Sequence, residues 1–175
     1  MKQVLLDNLQ LGRTIDRVAH QIAERNPAGV DVALIGVQRG GYHFIRRLVP
    51  ILERIWGHSV PHGELDVAMH RDDLDARGPL LMHPTRIPFD IEGKTVVLVD
   101  DVLYTGRTTR AALDALNDYG RPRAVQLAVL VDRGQRELPI QADFTGVTSP
   151  LTAHGRIDVQ WREDGADDSV IMERA

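Results

Sequence analysis

Three short apolar runs constrain the fold of this chain more than any other feature of its sequence. They lie at Asp31–Val37, Lys94–Asp100 and Ala124–Asp132, and turn-forming or charged residues bound each of them. Runs of this length without apolar–polar alternation predict strands that are buried on both faces. Such strands occur in parallel sheets whose two faces are covered by helices.

Segments with helical spacing alternate with the apolar runs. This order predicts an α/β fold, with residues 1–175 forming a single domain built on a mainly parallel twisted sheet flanked by helices. The predicted helices are Leu11–Asn26, a second that follows Gly41 and ends at Trp56, and Thr108–Tyr119; further strands are predicted at Glu64–His70 and, as short edge strands, at Ile157–Trp161 and Val170–Met172.

Composition excludes several classes of protein. The 175 residues carry a formal net charge of −4, which argues against a general binder of polyanions but allows a local basic face. Cysteine is absent, so thiolate chemistry and thiolate metal sites are excluded. No apolar run approaches the ~20 residues of a membrane span, and the first residues lack a signal-peptide pattern. We therefore expect a cytoplasmic protein with no membrane partner.

The stretch VVLVDDVLYTGRTT, residues 96–109, carries most of the functional information. Its apolar half runs into Asp100 and Asp101, and a turn containing Gly106 leads into the predicted helix. A glycine turn at a helix N-terminus exposes amides and the positive end of the helix dipole, which suits a phosphate. Two carboxylates at a solvent-facing strand end suit hydroxyls or a hydrated cation. The stretch therefore predicts a site for a sugar phosphate.

Other interpretations of this stretch are weaker. A Walker A loop requires a glycine five residues before Gly106 and a lysine directly after it, where the chain has Asp101 and Arg107. Receiver domains place their acidic pair near the N-terminus and use no TGRTT loop. A purely structural alternative, an acidic strand end followed by a capped helix, remains.

VVLVDDVLYTGRTT resembles the phosphoribosyl-pyrophosphate (PRPP) signature of type I phosphoribosyltransferases. That signature is an apolar strand, two acids, a few small or apolar residues and then T/S-G-x-T. The resemblance implies a small hood and a flexible loop beside the sheet. It also implies that Asp100 and Asp101 hold the ribose hydroxyls, that Tyr104–Thr108 wrap the 5′-phosphate, and that Mg²⁺ rides on the pyrophosphate oxygens.

Further segments resemble one family, the pyrimidine-operon regulators called PyrR. These segments are DRVAHQIAERN, GELDVAMHRDDL, DDVLYTGRTTRAALDAL and YGRPRAVQLAVLVDRGQRELPIQADF. Members of the family are uracil phosphoribosyltransferases, and some bind pyrimidine-operon messenger RNA. The resemblance implies uracil and PRPP as substrates, UMP and pyrophosphate as products, and a homodimer or homotetramer.

The resemblance also implies which residues form the site. Asp100, Asp101 and Arg71 take catalytic roles, and Arg71 begins a loop over Asp72–Pro88 that would cover the site. Histidines at 58 and 62 lack further ligands, so no protein metal site is expected. The implied nucleotide-binding residues are Arg39, Gly40, Val102, Leu103, Tyr104, Thr105, Gly106, Arg107, Thr108 and Arg133.

Two of these arginines have structural alternatives. Arg71 stands beside two acids in a polar segment and could belong to a solvated loop. Arg133 could pair with Asp132 or Glu137. For both arginines it is the resemblance, rather than the charge pattern, that favours a functional role.

The chain departs from the PyrR pattern in places that bear on function. The family usually reads Thr-Arg-Gly before the second helix. When this chain is anchored on Gly36 and Gly41, the residues before Gly41 are Gln38-Arg39-Gly40, so its arginine comes one residue early and the threonine is missing. The family's lysine after Gly146 is replaced by Val147. On the first helix, Arg17 and His20 match the family's RNA-contacting Arg-x-Ala-His.

Two functions therefore stand as predictions. One is a uracil phosphoribosyltransferase that also regulates pyrimidine operons by UMP-dependent binding of messenger RNA. The other is a nucleotide-sensing, RNA-binding regulator with little or no transferase activity, which the altered Gln38-Arg39-Gly40 loop favours.

Overall fold

The computed structural model describes residues 2–71, 83–149 and 155–173. No helix in these ranges has the length and apolar character needed to cross a membrane. The elements in chain order are β1 (Lys2–Leu6), α1 (Asn8–Arg25), β2 (Val32–Val37), α2 (Gly40–Trp56), β3 (His62–Leu65), β4 (Thr95–Leu103), α3 (Arg107–Leu116), β5 (Ala124–Asp132), β6 (Phe144–Thr148), β7 (Arg156–Gln160) and β8 (Ser169–Glu173).

The larger sheet is parallel, with strand order β3-β2-β4-β5-β6. Its central strand β4 is buried on both faces, because Val97 and Val99 pack with α1 and α2 whereas Val96 and Leu98 pack with α3. These contacts confirm the predicted α/β fold with helices on both faces. The unbroken apolar runs are explained by the same arrangement, since neither face of these strands meets water.

A second sheet joins the two ends of the described chain and is called the hood below. Its order is β1-β8-β7, and both pairings are antiparallel. Strand β8 was predicted as an edge strand, and this was wrong because β1 and β7 flank it. Strands β1 and β6 were not predicted, since both are short and carry no strong periodicity.

The strand predicted over Glu64–His70 is shorter and earlier in the structure. Strand β3 ends at Leu65, and a 3₁₀ turn occupies Ala68–His70. The cause is Asp66, whose carboxylate accepts a hydrogen bond from the Ala68 amide at 2.9 Å and so starts the turn. Of the loop predicted over Asp72–Pro88, residues 72–82 lie outside the described residues.

Arg47 of α2 ties the hood to the parallel sheet. Its guanidinium donates to both carboxylate oxygens of Glu163, at 2.9 and 2.8 Å, and to those of Asp168, at 2.9 and 3.0 Å. The same group lies 4.6 Å from the ring centre of Trp161, which is almost fully buried. Hydrogen bonds from Arg47 lower the pKa of Glu163 to about 2. The turn between β7 and β8 is thereby fixed to α2.

We predict that Glu163→Gln destabilises the protein by roughly 1–2 kcal/mol at pH 7, because a charged partner of Arg47 is lost. The folded-state pKa of Glu163 is lowered, so its stabilisation is complete above the ordinary value of 4.5 and is lost as pH falls towards about 2. Denaturant unfolding of both proteins between pH 7 and pH 3 should show the difference shrinking with acidification.

Glu173→Gln is the matched control for this measurement. Glu173 also lies in the hood, but its ion pair with Lys2 is exposed and should contribute little. A Glu163→Gln protein as stable as the control variant at pH 7 would contradict the role given to Arg47.

Candidate active site

A cavity of about 600 Å³ opens at the carboxyl ends of β2 and β4. The chain leaves β2 towards β3 on one side and returns to form β4 on the other side, so the loops that follow these two strands diverge. Open parallel sheets bind ligands at such switch points. The volume of the cavity suits a nucleotide-sized molecule.

The predicted catalytic and nucleotide-binding residues all line this cavity. They come from the loop after β2, the residue after the 3₁₀ turn, the end of β4 with the start of α3, and the end of β5. These residues are Arg39, Gly40, Arg71, Asp100, Asp101, Val102, Leu103, Tyr104, Thr105, Gly106, Arg107, Thr108 and Arg133.

The two aspartates lie inside β4 rather than beyond its end. The expectation of a solvent-facing strand end was wrong for Asp100, which is only 8% exposed. The Asp101 amide donates to the Asp100 carboxylate at 2.9 Å, and the Val102 amide donates to the Asp101 carboxylate at 2.8 Å. Strand β4 continues to Leu103 because β5 pairs with it that far, whereas its pairing with β2 stops at Val99.

Burial raises the pKa of both carboxyl groups. The effect is larger for Asp100, where the negative charge of Asp101 adds to the loss of water and the positive charge of Arg71 opposes it only in part. For Asp101 the first cause is again burial. The pair therefore holds protons more tightly than free aspartates do, and a cationic group in the cavity would favour its ionised form.

Gly40 is needed because the loop after β2 passes directly over Asp101. A Cβ atom at Gly40 would lie 1.9 Å from a carboxylate oxygen of Asp101. The next residue, Gly41, comes equally close to β4, since a Cβ there would lie 2.2 Å from the carbonyl oxygen of Val99. The glycine pair thus brings the β2 loop against the acidic pair.

The segment between β4 and α3 has the geometry of an anion site. Gly106 has a φ of +92°, which glycine adopts readily, and it precedes the first residue of α3. Gly106, the N-cap residue, offers no side chain to the helix, and the Arg107 amide donates to the Thr105 hydroxyl at 3.3 Å. The later amides of the first turn face the same end of the helix, where the helix dipole favours a negative ligand. Arg71 donates to the Thr108 hydroxyl at 3.1 Å and so reaches the same segment.

Arg133 does not take the structural partners that were its alternative. The carboxylate of Asp132 pairs with Arg136 at 2.6 Å, and that of Glu137 pairs with Arg107 at 2.8 Å. The guanidinium of Arg133 instead lies 3.8 Å from the ring centre of Tyr104. Arg133 is 8% exposed, and within the described ranges its Nε atom has no hydrogen-bond partner. A buried donor of this kind fits a ligand oxygen.

Arg39 lines the cavity, but its guanidinium is paired with the hood. It forms an ion pair with Asp164, in the turn between β7 and β8. The other oxygen of that carboxylate lies 3.5 Å from Nε2 of His43. Arg39, the arginine that comes one residue early in the sequence, is thus paired with a carboxylate of the protein itself, that of Asp164.

Sequence reasoning missed one wall of the cavity. Residues Arg156, Ile157, Asp158 and Val159 of β7 face the acidic pair, and the charge of Asp158 contributes to the raised pKa of Asp101. The run beginning at residue 157 was recognised as a strand. Its place above the cavity follows from hood pairing between distant parts of the chain, for which no local pattern exists.

Arg17 and His20 lie on α1, away from the cavity. Arg17 donates to the Thr145 carbonyl at 3.4 Å and also contacts the Gly146 carbonyl, both in β6. Nδ1 of His20 lies 2.7 Å from the carbonyl of Asp16, one turn earlier. Both side chains belong to the exposed part of the helix.

Comparison with known proteins identifies the family. The phosphoribosyl transferase domain model matches residues 3–164. A "Bifunctional protein PyrR" from a Roseiflexus species is 55% identical, covering 97% of this chain and 94% of its own. The chain belongs to the PyrR family. Another "Bifunctional protein PyrR", from Streptomyces coelicolor, is 50% identical, covering 96% of this chain and 88% of its own.

A solved structure supports the fold of this PyrR-family chain. The hypoxanthine phosphoribosyl transferase of Trypanosoma cruzi superposes with a TM-score of 0.75 at 21% identity, covering 98% of this chain and 91% of that one. At this identity the similarity concerns the fold alone.

We predict that Asp100→Asn raises stability at pH 7 by roughly 1 kcal/mol or more, because a buried like charge is removed. The folded-state pKa of Asp100 is raised, so the wild-type protein has its full stability below the ordinary value of 3.8 and loses part of it as pH rises. The advantage of the variant should therefore disappear in acid. Thermal unfolding of both proteins from pH 7 to pH 4 measures it.

Asp31→Asn serves as the control, because Asp31 is exposed at the opposite end of the sheet. An Asp100→Asn protein less stable than wild type at pH 7 would show that the Asp100 charge is compensated in the folded state.

Proposed function

We propose that this protein transfers a phosphoribosyl group from PRPP to uracil, giving UMP and pyrophosphate, and that it also regulates pyrimidine operons through UMP-dependent binding of messenger RNA. The observation that carries the enzymatic proposal is the cavity that buried Asp100 and half-buried Asp101 share with the N-terminus of α3. Membership of the PyrR family supports uracil as the base.

In the proposed reaction, a uracil nitrogen bonds to the anomeric carbon of PRPP while the bond from that carbon to pyrophosphate oxygen breaks. Pyrophosphate leaves with the bonding electrons, and the proton of the uracil nitrogen passes to water. Positive charge develops on the ribose, as in glycoside hydrolysis. Asp100 and Asp101 hold the ribose hydroxyls, and their negative charge stabilises the positive charge that develops on the ribose. The amides at the start of α3 hold the 5′-phosphate, and Arg71 carries positive charge to the same cavity.

Magnesium enters this proposal as part of the substrate. The donor set fits a cation carried on pyrophosphate oxygens, because the carboxyl groups of Asp100 and Asp101 line the cavity beside the β2 loop and a cation would favour their ionised form. Within residues 2–71, 83–149 and 155–173, no cluster of three or more histidine, aspartate or glutamate side chains forms a cage for a metal ion. The ion would neutralise charge on the leaving pyrophosphate.

The second candidate function is a nucleotide-sensing regulator with little or no turnover. The observation that favours it is the ion pair between Arg39 and Asp164. This pair engages the one arginine of the β2 loop, and Gly40 beside it has no side chain with which to replace the guanidinium. Both functions require nucleotide binding in the cavity, so turnover separates them.

We expect purified protein to form UMP from uracil and magnesium-PRPP, and Arg71→Met to lower kcat/KM by about 100-fold, because a cationic group that lines the cavity is lost. A spectrophotometric assay of UMP formation measures this. Arg86→Met is the control, since exposed Arg86 pairs with Glu64 outside the cavity and should keep its activity.

An absence of turnover in wild type, together with UMP binding by calorimetry, would favour the sensing regulator. An absence of both would contradict the whole proposal.

The RNA-binding part of the proposal rests on α1. Arg17 presents guanidinium donors, and His20 an imidazole ring, on an exposed helix face beside β6, and the Arg17 contacts to β6 carbonyls hold its guanidinium in place. Pairing of two chains about such a face would enlarge the basic surface, and we propose a homodimer or homotetramer for this reason.

We expect the protein to retard its own pyrimidine-operon leader RNA in gel-shift assays more strongly when UMP is present. Arg17→Ala should weaken binding roughly tenfold and reduce the salt dependence of the affinity, because a phosphate contact is lost. Arg121→Ala, an exposed arginine between α3 and β5, is the control. Equal salt dependence of RNA affinity in the two variants would show that Arg17 does not contact the RNA.

A further inference from the structure

Arg136 does not line the cavity, yet it holds together the segment that does. Its Nε donates to the Ile140 carbonyl at 2.9 Å, and Nη1 donates to the Tyr104 carbonyl at 2.9 Å and the Gly134 carbonyl at 3.3 Å. Nη2 donates to the Asp132 carboxylate at 2.6 Å. The guanidinium thus joins the end of β5 to the loop between β4 and α3.

The next carbonyl of that loop is held from the same side. The oxygen of Thr105 accepts hydrogen bonds from the amides of Glu137 and Leu138, at 2.9 and 3.2 Å. The carboxylate of Glu137 in turn pairs with Arg107, the first residue of α3. Residues 136–138 therefore fix two successive peptide groups of the loop.

The orientation of the loop amides follows from peptide geometry. In a planar trans peptide, the carbonyl oxygen and the following amide hydrogen point in opposite directions. Because the carbonyls of Tyr104 and Thr105 point towards residues 136–138, the amides of Thr105 and Gly106 point the other way, towards the cavity. Across the described residues, neither amide donates a hydrogen bond to a protein acceptor.

We propose that Arg136 is a positioning residue for the 5′-phosphate: it turns the loop amides towards the ligand without touching the ligand itself. This inference rests on the proposed function, because it assigns the phosphate of PRPP and UMP to this loop. Lysine cannot replace Arg136 here, since a single ammonium group cannot span acceptors as far apart as Tyr104, Ile140 and Asp132.

The test compares Arg136→Lys with wild type and with Arg123→Lys. Arg123 directly precedes β5 and donates to the hydroxyl of Thr95 in β4 at 3.1 Å, so it also links these two strands, but at the opposite end of the sheet. We expect Arg136→Lys to raise the KM for PRPP and the Kd for UMP roughly tenfold or more, because misplaced groups bind far less well. The KM for uracil and kcat should change less than about threefold, since phosphate binding is lost equally from ground and transition states.

Asp132→Asn is a second variant, which keeps the size of the side chain that orients Arg136 and removes its charge. It should shift the KM for PRPP in the same direction by a smaller factor. If Arg136→Lys unfolds, Asp132→Asn still decides the question, and thermal unfolding of each variant shows that it is folded at the assay temperature.

The possible outcomes separate the two proposals. Wild type that neither forms nor binds UMP overturns the proposed function itself. Wild type that binds UMP, with folded Arg136→Lys or Asp132→Asn binding it equally well, overturns the positioning role alone. A parallel fall in kcat and in affinity for both substrates would assign Arg136 a general structural role and also overturn the inference.

Discussion

Two adjacent carboxylates held away from water inside β4 determine how the rest of the site is arranged. Asp100 and Asp101 each lose hydration, and the negative charge of Asp101 further disfavours ionisation of Asp100. Nearby groups offset this cost only in part: backbone amides bind the carboxylates, and Arg71 supplies a positive charge. The folded protein therefore contains two carboxyl groups in its cavity wall whose ionisation is disfavoured, and a cation in the cavity would favour it. This is the stability cost that functional sites commonly carry.

The hood makes the cavity a pocket rather than an open sheet edge. Strand β7 lies across from the acidic pair, and Arg47 fixes the adjoining turn to α2 through Glu163 and Asp168. Helix α2 begins at Gly40, which touches Asp101. Helix α2 thus contacts the β2 loop at its own first residue and the hood two turns later, through Arg47. A small movement of the hood would therefore displace the β2 loop, because the contacts of α2 with both segments are close-packed.

Much of this arrangement was predictable from the sequence. The parallel sheet, its helices and the PRPP signature were predicted from contiguous patterns, and the fold and the PyrR family are confirmed. The predicted site residues converge on one cavity, because the carboxyl ends of neighbouring parallel strands meet at one edge of the sheet. Their individual roles stay predictions. The Glu64–His70 strand was wrong in its second half, since the Asp66 side chain outweighed the apolar alternation there.

The sequence by itself determined the class of fold and the segment for which phosphate binding is predicted, because both depend on residues that are neighbours in the chain. Tertiary structure alone decided that Asp100 is buried within its strand, that Arg39 pairs with Asp164, and that Arg136 holds the loop between β4 and α3. Each of these depends on segments that are distant in sequence. Apolar periodicity records which face of an element is buried, but not which element covers it, so such contacts become visible only once the chain has folded.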